Sequence, residues 1–279
     1  MQTFSRAGLT FDVADSGTPD NGTVVLLHGF PQTSHSWRKV TPILNEQGYR
    51  TIAPDQRGYS PLARPRGRFA YRIGELVSDI ESMIIQSDSA TVHLVGHDWG
   101  AQVAWMLAAT RPDLISTLTT VSVPHPAAFV ASMTQSDQLR RSWYMAAFQP
   151  PKLPELMIAR KPEIFDKMLA ATGMDAAMIA DTHRLVVDSG ALTGGLNWYR
   201  AIPFSTPGAI GRPITVPTTH VWSAGDTALA RKGAELAGEH VAADYRLRIL
   251  EDATHWIPEQ NAPELAEIIG FDNKRVHLL

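Results

Sequence analysis

The chain has 279 residues, 44% hydrophobic and 19% charged, enough apolar material to bury one large core or one core with a small appended lobe. Lys and Arg total 25 against 28 Asp and Glu, a formal net charge of −3, so no excess of positive charge is available to follow a phosphate backbone or an anionic membrane. The absence of cysteine excludes disulfide scaffolds, thiolate zinc sites, iron–sulfur clusters and a Cys nucleophile.

The opening MQTFSR lacks a basic stretch followed by an apolar one, and no later run approaches the roughly 20 apolar residues of a membrane span, so a cytoplasmic location is expected. Glycine and proline are dispersed and no segment repeats at a fixed period. The first strong apolar run, TVVLLH at 23–28, predicts a buried strand and is followed by the turn His28-Gly29-Phe30-Pro31. A helical pattern at 36–47, a short strand at 51–54, a basic stretch carrying Arg57, Arg64, Arg66, Arg68 and Arg72, and a helical pattern at 73–87 come next. The arginines are expected to be solvated. TVHLVG at 91–96 predicts a second buried strand, 99–110 an Ala-rich helix and 118–123 a further strand. Such continuous, β-branched apolar runs alternating with helices predict an α/β architecture with a mostly parallel sheet.

The alternation fails at 125–213, where only helical periodicities occur (137–148, 162–172, 175–187, 192–202), and resumes with strands at 218–223 and 246–250. A core made of 1–124 and 214–279, interrupted by a helical lid at 125–213, is therefore expected. Such an insertion would sit over the carboxyl edge of the sheet, where α/β proteins place ligands.

Gly96-His97-Asp98-Trp99-Gly100 joins a predicted strand to a predicted helix, the context of a nucleophile elbow. Its central residue is a carboxylate. A Ser displacing a group from sp³ carbon would leave an ether that water does not readily cleave, whereas a carboxylate leaves an ester that a second step can hydrolyse. Asp98 therefore points to epoxide opening or halide loss rather than to esterase or peptidase chemistry. The order nucleophile, acid, base calls for a carboxylate and a His on later strand ends, and Asp226 and His255 stand just beyond 218–223 and 246–250. Glu251 and Asp252 lie too near His255 in sequence to grip its ring from behind, and the segment Val121-Ser122-Val123-Pro124 offers no acid.

These residues resemble the α/β-hydrolase fold family and, within it, the cap-bearing epoxide hydrolases, over nearly the whole chain: His-Gly-Phe-Pro at 28–31, Gly-His-Asp-Trp-Gly at 96–100, the Asp226 turn and His255-Trp256. The resemblance implies an oxyanion hole from the amides of Phe30 and Trp99, a pocket bounded by His28, Pro31, Trp99 and Trp256, and two cap tyrosines that hydrogen-bond the epoxide oxygen. Tyr144 and Tyr199 match these, the latter in the segment Asn197-Trp198-Tyr199-Arg200; the stretch Phe148-Gln149-Pro150-Pro151-Lys152 departs from the family pattern. The implied reaction adds water to a small apolar epoxide through an ester on Asp98, hydrolysed by water that His255 activates and Asp226 orients. No cofactor, metal, nucleic acid or membrane partner is implied, and a monomer or homodimer is expected. A haloalkane dehalogenase would share Asp98 and Trp99 but needs side-chain donors to halide where Phe30 stands. A fluoroacetate dehalogenase would carry Arg after the nucleophile, where this chain has Trp99, Ala101 and Gln102. A hydrolase-fold binding protein without turnover would lack at least one of the catalytic parts.

Overall fold

The computed structural model describes residues 1–205 and 210–276; residues 206–209 of the expected lid and 277–279 of the expected core lie outside the described residues. Strands β1 (Thr3–Arg6), β2 (Leu9–Ser16), β3 (Thr23–Leu27), β4 (Arg50–Pro54), β5 (Val92–His97), β6 (Ile115–Val121), β7 (Thr218–Ser223) and β8 (Tyr245–Leu250) form one sheet in the order β1-β2-β4-β3-β5-β6-β7-β8. β1 and β2 pair antiparallel with each other, as do β2 and β4, and every pairing from β4 to β8 is parallel.

The continuous apolar runs follow from burial on both faces. β3 alternates its side chains between two cores, Val25 and Leu27 packing with Leu76, Ile80 and Leu107 on one face, Val24 and Leu26 with Val40, Leu44, Leu265 and Ile269 on the other. The first face is covered by helices α2 (Ile73–Gln86) and α3 (Trp99–Thr110), the second by α1 (Val40–Glu46) and the C-terminal helix Ala262–Val276. The polar alternation of β2, half-exposed at the sheet edge, carries no such run, and neither β1 nor β2 is foreseen from the apolar pattern. Their inward residues Phe4 and Phe11 stack with centroids 4.4 Å apart.

Between β6 and β7 the described elements are helices, α4 (Pro126–Gln135), α5 (Gln138–Arg141), α6 (Trp143–Ala147), α7 (Leu153–Arg160), α8 (Pro162–Ala171), α9 (Ala176–Thr182) and α10 (Leu192–Ala201), before an isolated bridge from Ile214 to Val241. Three expected helices are divided or altered. The pattern at 36–47 is a 3-10 turn, Ser34–Trp37, followed by α1, which restarts so that Pro42 falls in its first turn, where a missing N–H has no cost. The pattern at 137–148 is broken at Ser142, and that at 175–187 widens after α9 into a π turn at His183–Val187. No described helix is long and apolar enough to cross a membrane.

The basic stretch is not uniformly solvated. Arg57 is buried, its Nε and Nη2 donating to the two carboxylate oxygens of buried Asp79 at 2.6 and 2.7 Å and its Nη1 to the Ala70 carbonyl at 3.0 Å. Arg6 donates to the same carboxylate at 2.8 Å. The Arg57 carbonyl in turn accepts from the Trp198 indole at 2.8 Å, anchoring α10 to the core. Removing Asp79 leaves buried Arg57 with only the half-buried Glu75 carboxylate, 3.8 Å away, to balance it, which is far costlier than the pair is favourable. Asp79→Ala is therefore expected to lower unfolding stability by about 3–5 kcal/mol in denaturant titration; a loss below about 1 kcal/mol would show that water reaches and solvates Arg57.

Candidate active site

β5 delivers Asp98 into a turn that only glycine neighbours permit. Asp98 adopts φ 53° and ψ −118°, an unfavourable conformation for a residue with a Cβ. A Cβ at Gly96 would collide with the Gly100 carbonyl, and one at Gly100 with the Leu27 carbonyl of the neighbouring strand. The turn thus brings β5, α3 and β3 into direct backbone contact. A Cβ at Gly29 would strike the Asp98 carboxylate itself, so the loop after β3 closes over the side chain. There the Phe30 amide donates to Asp98 Oδ1 at 2.8 Å. Burial pushes the Asp98 pKa up, while His255 and the amides of Trp99 and Phe30 favour its charged form.

His28 does not border the pocket, contrary to expectation. It is fully buried, its Nε2 accepting from the Gln56 amide at 3.1 Å, which leaves Nδ1 to donate to the Gly29 carbonyl at 3.0 Å. Burial holds its pKa below the ordinary range, so this neutral ring braces the loop that carries Phe30.

The ends of β7 and β8 supply the second half of the site. His255 Nδ1 donates to Asp226 Oδ2 at 2.7 Å, leaving Nε2 toward Asp98 Oδ2 at 3.7 Å. The other oxygen of Asp226 is fixed by the amides of Ala228 and Leu229 at 2.8 and 2.9 Å. Burial works against the charged His255 ring, but the charge and hydrogen bond of Asp226, followed by the charge of Asp98, outweigh it and raise its pKa. Glu251 and Asp252 are exposed.

Two residues without a foreseen role also hold His255. Its backbone carbonyl accepts from His97 Nε2 at 2.9 Å and from Ser122 Oγ at 3.0 Å. Ser122 follows β6 at φ 68°, which aims its hydroxyl at this carbonyl. Sequence offers no signal for either contact.

Tyr144 from α6 and Tyr199 from α10 stand with ring centroids 6.0 Å apart, and both border a cavity of about 760 Å³ that also exposes Asp98 and His255. Burial, and then the charge of Asp98, raises both phenol pKa values above the ordinary value, so each stays a neutral donor. The unusual stretch after Tyr144 ties the two helices together. The Gln149 amide donates to the Tyr199 carbonyl at 3.0 Å, and Arg200 donates to the carbonyls of Phe148 and Pro150, both at 3.0 Å, while pairing with Glu155 at 2.8 Å. Pro31 and Trp256 line the cavity, and the half-buried Trp99 ring packs edge-on against the lining Tyr199 at 5.1 Å. Among the described residues no group of three or more His, Asp or Glu side chains could hold a metal ion.

The arrangement presents a buried carboxylate with one oxygen held by the Phe30 amide and the other 3.7 Å from an imidazole that a second carboxylate keeps basic. Asp226→Asn removes the leading influences that raise the His255 pKa and leaves burial to dominate. The His255 ring resonance in an NMR pH titration should therefore shift its midpoint to lower pH than in the parent. An unchanged midpoint would contradict this electrostatic ordering.

The family model described as alpha/beta hydrolase fold matches residues 22–262. The chain is 34% identical over 268 residues to the AB hydrolase superfamily protein YfhM of Bacillus subtilis, covering 94% of this chain and 93% of that protein. It is 33% identical over 268 residues to epoxide hydrolase 2 of Caenorhabditis elegans, covering 91% of this chain and 74% of the relative. The crystal structure of epoxide hydrolase VrEH1 from Vigna radiata superposes with a TM-score of 0.83 at 25% identity, over 98% of this chain and 97% of that one. With the sheet order, the turn at Asp98 and the matched span in agreement, the chain belongs to the α/β-hydrolase superfamily and resembles its epoxide hydrolases.

Proposed function

We propose that this protein is an epoxide hydrolase working through an ester on Asp98, with residues 125–213 acting as the cap that supplies the proton donors. The observation that carries this reading is the state of the Asp98 carboxylate: Oδ1 is bound by the Phe30 amide, while Oδ2 faces the cavity side of His255 at 3.7 Å. Oδ2 attacks an epoxide carbon, the carbon–oxygen bond of the ring breaks, and a phenol of Tyr144 or Tyr199 protonates the departing oxygen. Water then loses a proton to His255 Nε2 and attacks Cγ of the ester. The oxyanion forms on Oδ1, already held by the Phe30 amide, with the Trp99 amide bonded to the same carboxylate, so little reorganisation is needed when charge develops there. Collapse releases a vicinal diol, and the proton liberated by ester hydrolysis restores the phenol.

Formation of the ester also prepares its hydrolysis. The negative charge of Asp98 is one of the influences that keep the His255 pKa up. Esterification removes it, shifting the imidazole toward the neutral form that a general base requires.

Halide release fits the donors less well. The groups facing Asp98 across the cavity are phenols, and Phe30 has no side-chain donor to offer a halide. A binding protein without turnover would have no need of a buried imidazole gripped by Asp226, on a residue whose backbone carbonyl His97 and Ser122 also hold.

His255→Gln separates the two steps, because the first needs no base. Incubation of this variant with an excess of styrene oxide should add the mass of the whole epoxide to the intact protein, on the peptide that contains Asp98. A folded variant that remains unmodified by an epoxide the parent converts would rule out the ester.

A further inference from the structure

The cavity is far larger than an oxirane needs, at about 760 Å³, and its outer wall combines apolar side chains, among them Trp143, Ile164 and Met168, with three cations, Arg140, Arg141 and Lys167. Among the described lining residues the only carboxylate is Asp98. Arg141 is already committed, its Nε donating to Asp137 Oδ1 at 2.9 Å and its Nη1 to the Asp226 carbonyl at 2.7 Å. Arg140 shares the same aspartate through Oδ2 at 3.0 Å, so one carboxylate serves two guanidinium groups. Lys167 has no ion pair with any described residue. Its neighbours on α8 do not neutralise it: Asp166 is taken by His183 at 2.6 Å, and Glu163, four residues earlier, makes no ion pair with it. The wall of the cavity therefore carries unneutralised positive charge, although the chain as a whole is net negative at −3.

Resting on the epoxide-hydrolase reading above, we propose that Lys167, supported by Arg140, forms a subsite for a carboxylate carried by the epoxide substrate, separated from the oxirane by an apolar spacer. The spacer is required by charge. A carboxylate next to the ring would approach the anionic Asp98, whereas one at the end of a chain lying along Trp143, Ile164 and Met168 meets the cations instead. The attraction is partly exposed, so it acts mainly on capture of the substrate and weakens with ionic strength.

The test compares kcat/KM for undecanoate bearing a terminal epoxide with that for its methyl ester, in the parent, Lys167→Gln and Lys167→Arg, at low and high salt, with styrene oxide as a neutral reference. The parent should favour the acid by about three- to tenfold at low salt, a preference carried by KM and reduced at high salt. Lys167→Gln should bring the acid-to-ester ratio close to one, and Lys167→Arg should keep it. Because the ratio is taken within each enzyme, a general loss of activity does not mimic the effect. Turnover of styrene oxide and the ester with no preference for the acid overturns the subsite alone, as does a ratio unaffected by Lys167→Gln. Failure of the parent to convert any of the three epoxides overturns the epoxide-hydrolase reading itself.

Discussion

The conformation of one residue governs the whole arrangement. At φ 53° Asp98 reverses the chain between β5 and α3 so sharply that backbone atoms of β3, β5 and α3 touch where side chains would otherwise stand. A strained residue of this kind costs on the order of 1–3 kcal/mol and persists only where the surroundings over-determine it. Here they do: β5 is buried along its full length, the Asp98 amide donates to the Val121 carbonyl at 3.2 Å, and the loop after β3 closes over the carboxylate. The turn sets one oxygen against the Phe30 amide and the other toward His255 Nε2 at 3.7 Å, and the chemistry proposed for the site follows from that inequality.

The second constraint is burial of charge. Three ionisable groups, Asp98, His255 and Asp226, are removed from water within hydrogen-bonding range of one another or nearly so. Such a group is tolerable only when its members compensate each other and the remaining lone pairs are satisfied. Asp226 meets this condition through two backbone amides, and the carbonyl of His255 through His97 and Ser122. The helices between β6 and β7 join the same network: Gln138 bonds Ala228 and Ala230 beside the acid, and Thr172 accepts from the Trp256 indole beside the base.

Sequence reveals the parts of this design that local pattern determines. Buried parallel strands appear as apolar runs, and residues placed just beyond them, Phe30, Asp98, Asp226 and His255, reach one edge of the sheet because the topology brings those ends together. The edge strand β1 and its neighbour β2 leave no such signature, since their side chains alternate between core and solvent. The contacts on the His255 carbonyl join residues 158 and 133 positions apart, which no spacing rule anticipates. Pattern misleads at His28 and Arg57 for a related reason: their types suggest a ligand contact and a solvated surface, while burial and partners such as Gln56 and Asp79 assign both to the scaffold.

The central claim is that Oδ2 of Asp98, not an oxygen of water, enters the product in the first turnover. A single-turnover reaction in H₂¹⁸O, with enzyme in excess over styrene oxide, tests this directly by mass analysis of the diol and of the peptide bearing Asp98. Attack of water at Cγ predicts an unlabelled diol and one ¹⁸O retained in the Asp98 carboxylate. A diol labelled in its first turnover, with an unlabelled Asp98 peptide, would contradict the ester and establish direct addition of water to the epoxide.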